Sequence, residues 1–160
     1  MIVEPRKLLR DPRYLLAFGF GSGLAPRAPG TFGTLAAIPV FLVLQALPVP
    51  AYVAVVCIAF AVGVYVCHHV ATELNIKDPG AIVFDEFVGL WVGLFLLPEG
   101  WWWLVCGFVL FRAFDILKPW PVGFLDTSIK GGLGIMVDDV AAGLYTFACL
   151  QVAAMILTRL

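Results

Sequence analysis

Residues 131–157 read GGLGIMVDDVAAGLYTFACLQVAAMIL. From Val140 onward the run is apolar and as long as a membrane-crossing helix requires, about 17–25 residues. Two adjacent acids, Asp138 and Asp139, stand at its start behind a glycine-rich approach expected to be a flexible loop, Gly131-Gly132-Leu133-Gly134. Acids at the edge of a membrane segment are costly to bury and mark function or pairing. The stretch therefore proposes both a fold, a helix in a bilayer, and a place to look for chemistry.

Four further apolar stretches lie upstream, at about 32–47, 51–67, 87–97 and 101–114. The second is long enough to span and the first is marginal. The third and fourth are short and flank a turn signal, Pro98-Glu99-Gly100, which predicts a hairpin. Composition agrees: 62% of the 160 residues are hydrophobic and 13% are charged, about half the usual share of roughly 25%. Mean hydropathy is +0.99. So much apolar surface cannot all enter a core of this size, which excludes a disordered chain, a nucleic-acid binder and an ordinary soluble domain. The expected fold is all-α, a polytopic membrane helical bundle of four to five segments. One domain is expected over 1–160, with a basic N-terminal segment and Gly/Pro loop at 1–31 and the bundle at 32–160.

Net charge is −1, so local charge placement decides orientation. With five segments and the N-terminus inside, Arg6, Lys7, Arg10, Arg13, Arg27, Lys77, Arg112, Lys118 and Lys130 share one side. Only Arg159 lies on the other. The positive-inside rule makes the crowded side cytoplasmic. Trp101, Trp102 and Trp103 then anchor the outer interface and Trp120 the inner one. Asp85, Glu86, Asp115, Asp126, Asp138 and Asp139 fall on the cytoplasmic side as well, so the active surface is expected there.

Three acidic pieces carry the chemistry: VFDEFVG (83–89), FRAFDILKPWP (111–121) and GGLGIMVDDVAAG (131–143). Capping accounts for Asp85 and Asp138 as N-caps. It leaves Glu86, Asp139 and Asp115 unexplained. Arg112 and Lys118, three residues either side of Asp115, are placed to neutralise it. If the helices bundle, Asp85, Glu86, Asp115, Asp138 and Asp139 bring five carboxylates together. A hard divalent cation relieves their repulsion, and all-oxygen donors favour Mg²⁺ over Zn²⁺. The stretch GFGSGLAPRAPGTFGT (19–34) opens a helix and is suited to aiming N–H groups and hydroxyls at an anion. The four cysteines, Cys57, Cys67, Cys106 and Cys149, read as buried small hydrophobes. The Cys-x5-Arg spacing of Cys106 and Arg112 lies in a helical pattern without a glycine-rich loop, which disfavours a cysteine nucleophile. His68 and His69 fit the C-terminal end of the second segment.

In their order, GFGSGLAPRAPGTFGT, VFDEFVGLWV, FRAFDILKPWP and GGLGIMVDDVAAGLY resemble the phosphatidylglycerophosphatase A family of bacterial inner-membrane lipid phosphatases, over residues 14 to about 150. The resemblance implies Mg²⁺-dependent hydrolysis of phosphatidylglycerophosphate to phosphatidylglycerol and inorganic phosphate, upstream of cardiolipin. The implied partners are the membrane and its phospholipid substrate, with no nucleic acid. Asp85, Glu86, Asp115, Asp138 and Asp139 are then the expected metal ligands. Glu86, Asp115 and Asp139 are the expected catalytic carboxylates, with Glu86 or Asp139 as general base. Ser22, Arg27, Thr31, Arg112, Lys118 and Lys130 are the expected substrate contacts. The signatures of haloacid-dehalogenase phosphatases, histidine-based lipid phosphatases and CDP-alcohol phosphotransferases are absent. A divalent-cation transporter and a non-catalytic membrane scaffold are the alternatives. The sequence sets no oligomeric state.

Overall fold

The computed structural model describes residues 10–76 and 79–157. The orienting roles expected of Arg6, Lys7, Lys77 and Arg159 fall outside them. Helices α1 (Pro12–Ala17), α2 (Pro29–Leu44), α3 (Val49–Leu74), α4 (Phe84–Gly93), α5 (Trp101–Leu117), α6 (Val122–Ser128) and α7 (Gly131–Leu157) follow in order, with a 3-10 segment, Gly19–Leu24, after α1. Among the described residues there is no strand, as an all-α chain requires.

Helix ends follow local chemistry. Helix α2 starts at Pro29, whose fixed φ suits the first turn, directly after Ala28 in the left-handed region. Helix α3 starts after Pro48 and ends where Asn75 turns left-handed. Helix α5 ends the same way at Lys118, ahead of Pro119. Asp11 caps α1, accepting from the Arg13 backbone N–H at 3.0 Å. The Arg13 guanidinium also holds both Asp11 oxygens, and its side-chain hydrogen bond keeps that carboxyl down at about 2.

Helix α7 is the centre of the bundle, packed on α3, α4, α5 and α6. Phe41, Phe87, Leu90, Leu94, Phe111 and Met136 are buried in one core cluster. Among the described residues two helices, α3 and α7, are long and apolar enough to cross a membrane. Only 17% and 28% of their apolar windows are buried, and Ile58, Tyr65, Leu144 and Met155 stand exposed on them. Outward apolar surface of this extent suits a lipid environment.

Fewer helices meet the spanning criterion than the four to five expected. Helix α4 has 10 residues, about 15 Å at 1.5 Å per residue, half the roughly 30 Å hydrocarbon core. It stops because residues 94–96 turn and Leu96 takes a positive φ of 52°. Helix α2 is shorter than a span and carries Pro39 inside. Three other expectations are corrected. The approach at 131–134 is not a loop but the first turn of α7, because the absent Cβ of Gly132 lets α7 close on the Val64 carbonyl and His68 of α3. Cys57, Cys106 and Cys149 are exposed on the apolar flanks and only Cys67 is buried; all four are free thiols. Trp101, Trp102 and Trp120 are exposed, but Trp103 turns inward and is buried.

The α4–α7 contact is the most extensive in the bundle, and it is backbone on backbone. A Cβ on Gly89 would sit 2.7 Å from the Asp139 carbonyl oxygen and 2.8 Å from Phe111, and one on Gly143 would strike the Gly89 carbonyl. Gly89→Ala should therefore destabilise the protein by about 1–3 kcal/mol, the usual cost of overpacking. A lower melting temperature and weaker activity check this; an unchanged melting temperature would show that the helices part freely.

Candidate active site

The acids gather at one end of the bundle, where α4 begins, α5 ends and α7 enters. Glu86 lies in the first turn of α4, where its charge suits the helix dipole. Asp85 precedes it and accepts the Glu86 backbone N–H at 3.1 Å. Neither is the N-cap, which is Val83. Asp138 and Asp139 lie well inside α7, so capping does not explain them either.

Two cations organise the carboxylates. Arg112 reaches from α5 with one guanidinium nitrogen, Nη1, which lies 3.0 Å from Glu86 Oε2 and 2.8 Å from Asp115 Oδ2. The same nitrogen is 3.4 Å from Thr34 Oγ1. Lys118 does not join it at Asp115, as the helical spacing suggested. Its left-handed backbone carries it past the end of α5, where Nζ pairs with Asp138 Oδ2 at 2.7 Å and Asp126 Oδ1 at 3.2 Å. Burial works against the Lys118 charge, but the bonds to Asp138 and Asp126 outweigh it and hold the ammonium above the ordinary lysine range.

Some polar atoms have no partner within the protein. Asp139 is 3% exposed and its Oδ2 accepts no hydrogen bond; Asp138 Oδ1 and Arg112 Nε are likewise unsatisfied. Buried orphan oxygens are rare and call for a ligand or water. Asp85, Glu86, Asp115 and Asp138 are all near enough to Asp139 to repel its charge. Beside them a polar cavity of about 200 Å³ is lined by Asp85, Asp126 and Asp138 with Ile129, Gly131 and Gly134. Among the described residues, no three acidic, histidine or cysteine side chains converge on one ion-sized position. The five expected carboxylates thus share one end of the molecule but fall into subsets: Glu86 and Asp115 on Arg112, Asp138 on Lys118, Asp139 unpartnered.

The expected substrate contacts divide. Arg112 and Lys118 are in the cluster. Ser22 is turned back, its hydroxyl donating to the Gly19 carbonyl at 2.8 Å. Arg27 and Lys130 are exposed beside the cluster's elements, and Thr31 is half-buried in the first turn of α2. His68 accepts from the Gly132 N–H at 3.4 Å and His69 pairs with Glu73 at 3.6 Å. Sequence reasoning gave Thr34 and Asp126 no specific role. Thr34 stood at the end of the Gly/Pro stretch, which varies within the family, and so carried over less securely; Asp126 carried a signal in its expected cytoplasmic placement, but no adjacent acid drew attention to it.

The matching family decides what kind of site this is. The phosphatidylglycerophosphatase A family profile matches residues 15–154. The chain belongs to this family. It is therefore a phosphatase enzyme. It is 46% identical to phosphatidylglycerophosphatase A of Escherichia coli K12, covering 89% of this chain and 83% of that one. It is 43% identical to the Haemophilus influenzae protein of the same name, covering 86% and 85%. A Bacteroides thetaiotaomicron protein, provisionally named a phosphatidylinositol-3-phosphatase, is 39% identical over 87% of this chain and 91% of its own. No solved structure matches the chain.

Proposed function

We propose that this protein hydrolyses phosphatidylglycerophosphate to phosphatidylglycerol and inorganic phosphate at the acid-rich end of the bundle, with Mg²⁺ as cofactor. The observation that carries the reading is the pair of buried orphan oxygens, Asp138 Oδ1 and Asp139 Oδ2, beside two protein cations. They are hard oxygen donors, and that chemistry fits Mg²⁺. Asp138 and Asp139 would hold it, with Asp85 beside them and Glu86 and Asp115 contributing directly or through water. When bound, such an ion polarises phosphoryl oxygens and lowers the pKa of an adjacent water.

The chain's own groups supply the rest. Arg112 presents the unpartnered Nε–H to a phosphate oxygen, and Lys118, Arg27 and Lys130 add positive charge around the headgroup. Glu86 or Asp139 takes the proton of the attacking water. Water adds to phosphorus, the bond from phosphorus to the glycerol oxygen breaks, and that oxygen leaves with the proton the carboxylate took. The acyl chains remain in the bilayer along the apolar flanks of α3 and α7. The distribution of Lys and Arg supports a cytoplasmic site and N-terminus in the bacterial inner membrane. On that reading the enzyme completes phosphatidylglycerol synthesis, ahead of cardiolipin.

The test is phosphate release by the purified full-length chain in mixed micelles of phosphatidylglycerophosphate. Release with Mg²⁺ should fall at least about tenfold in chelator and return on adding Mg²⁺, the scale expected when a metal's electrostatic role is lost. Parallel micelles of phosphatidylinositol 3-phosphate test the lipid named for the Bacteroides relative. Faster release from that lipid would reassign the substrate. Equal rates with and without chelator would remove the metal. No release from folded protein on either lipid would bring cation transport forward.

A further inference from the structure

Thr34 Oγ1 lies 2.7 Å from Glu86 Oε2 and 2.9 Å from the Gly30 carbonyl oxygen. A hydroxyl has one proton to give. The Gly30 carbonyl already lies on the helical ladder of α2, four residues before Thr34, whereas a carboxylate accepts a stronger, charge-assisted bond. The Thr34 hydroxyl therefore donates to Glu86 Oε2. Thr34 is fully buried, as is nearly all of Glu86, so the bond is shielded from water. Glu86 Oε2 thus receives Thr34 from one side and Arg112 at 3.0 Å from another. Its other oxygen, Oε1, rests against the Gly30 Cα, where any side chain would strike it and crowd Arg112 at 3.2 Å.

We infer that the start of α2 is a positioning element for Glu86, with Thr34 as the positioning residue that orients its carboxylate through a hydrogen bond and Gly30 as the wall that fixes its second oxygen. The Gly/Pro stretch before it is then a structural approach. Ser22 spends its hydroxyl inside that stretch, and Gly23 and Gly33 pack on Ala81 and Val83 just ahead of α4. Threonine and glycine are needed at 34 and 30 because one gives a proton and the other leaves room.

This inference rests on the phosphatase reading, and the experiment separates the two. Thr34→Val keeps the shape and removes the hydroxyl; Thr34→Ser keeps the hydroxyl; Gly30→Ala fills the wall. On phosphatidylglycerophosphate micelles, Thr34→Val should lower kcat about 10- to 100-fold with KM within about twofold. Thr34→Ser should recover at least about a third of wild-type kcat, and Gly30→Ala should lose kcat as Thr34→Val does. Thr34→Val added to Glu86→Asp, whose shorter side chain already breaks the contact, should cost less than about twofold more. A Thr34→Val enzyme with near-normal kcat, a serine variant as poor as valine, or full additivity with Glu86→Asp would overturn the inference. If Thr34→Val does not fold, Thr34→Ser and Gly30→Ala decide. Wild-type protein that releases no phosphate overturns the functional reading instead.

Discussion

Asp139→Asn lowers phosphate release about 10²- to 10⁴-fold, the range for losing a carboxylate that moves a proton or holds the reacting groups, while the melting temperature stays the same or rises. The two halves of that result come from one observation. Asp139 is buried, its Oδ2 has no partner, and four acids repel it. Asparagine has the same shape and no charge, so removing the charge relieves the repulsion. A residue kept for stability would show the opposite pattern, since breaking a useful buried contact lowers the melting temperature. Activity and thermal unfolding, measured on one preparation, distinguish the cases. Release within about tenfold of wild type would take Asp139 out of the chemistry.

Arg112→Leu gives the second large effect, and here stability falls with activity. One guanidinium nitrogen serves Glu86 and Asp115 together, and all three side chains are at most 15% exposed. Removing the cation strands two buried carboxylates, which costs about 3–5 kcal/mol. The compensated variant, Arg112→Leu with Glu86→Gln and Asp115→Asn, should regain most of the lost stability because no charge is left unpaired. It should regain no activity. Chemical denaturation in detergent reads the first quantity and phosphate release the second. A triple variant as unstable as the single one would show that Arg112 holds the fold by packing rather than by charge.

The sequence made the two long helices legible, since apolar runs of spanning length have few other uses. It also made the three acidic pieces legible, because paired acids beside apolar residues stand out. Half of the Arg112 bridge was visible as well: Asp115 lies three residues away on the same helix. The other half joins Arg112 on α5 to Glu86 on α4, and no periodicity within one helix reports on its neighbour. Thr34 and Glu86 are 52 residues apart, so their bond exists only once α2 and α4 have docked. The cysteines misled for a different reason. Against lipid, an outward position is as apolar as a core position, so Cys57 and Cys149 read as interior when they face out. The short length of α4 was partly legible, since the apolar stretch at 87–97 already fell short of a span; its end at Gly93 was not, because Gly89 and Gly93 both sit within that apolar run and only the second closes the helix.

The glycine seam between α4 and α7 has a mechanical consequence. Side chains between helices can change rotamer, and such a spacing breathes with temperature and surroundings. Here the Gly89 and Gly143 backbones rest directly on their neighbours. A gap closed by main chain has no rotamers to exchange. The exposed apolar side chains on the outer faces of α3 and α7 keep that freedom. The seam acts as a fixed stop between Glu86, one turn before Gly89, and Asp139, one turn before Gly143. The working distance across the site is thereby insulated from repacking on the outside of the molecule.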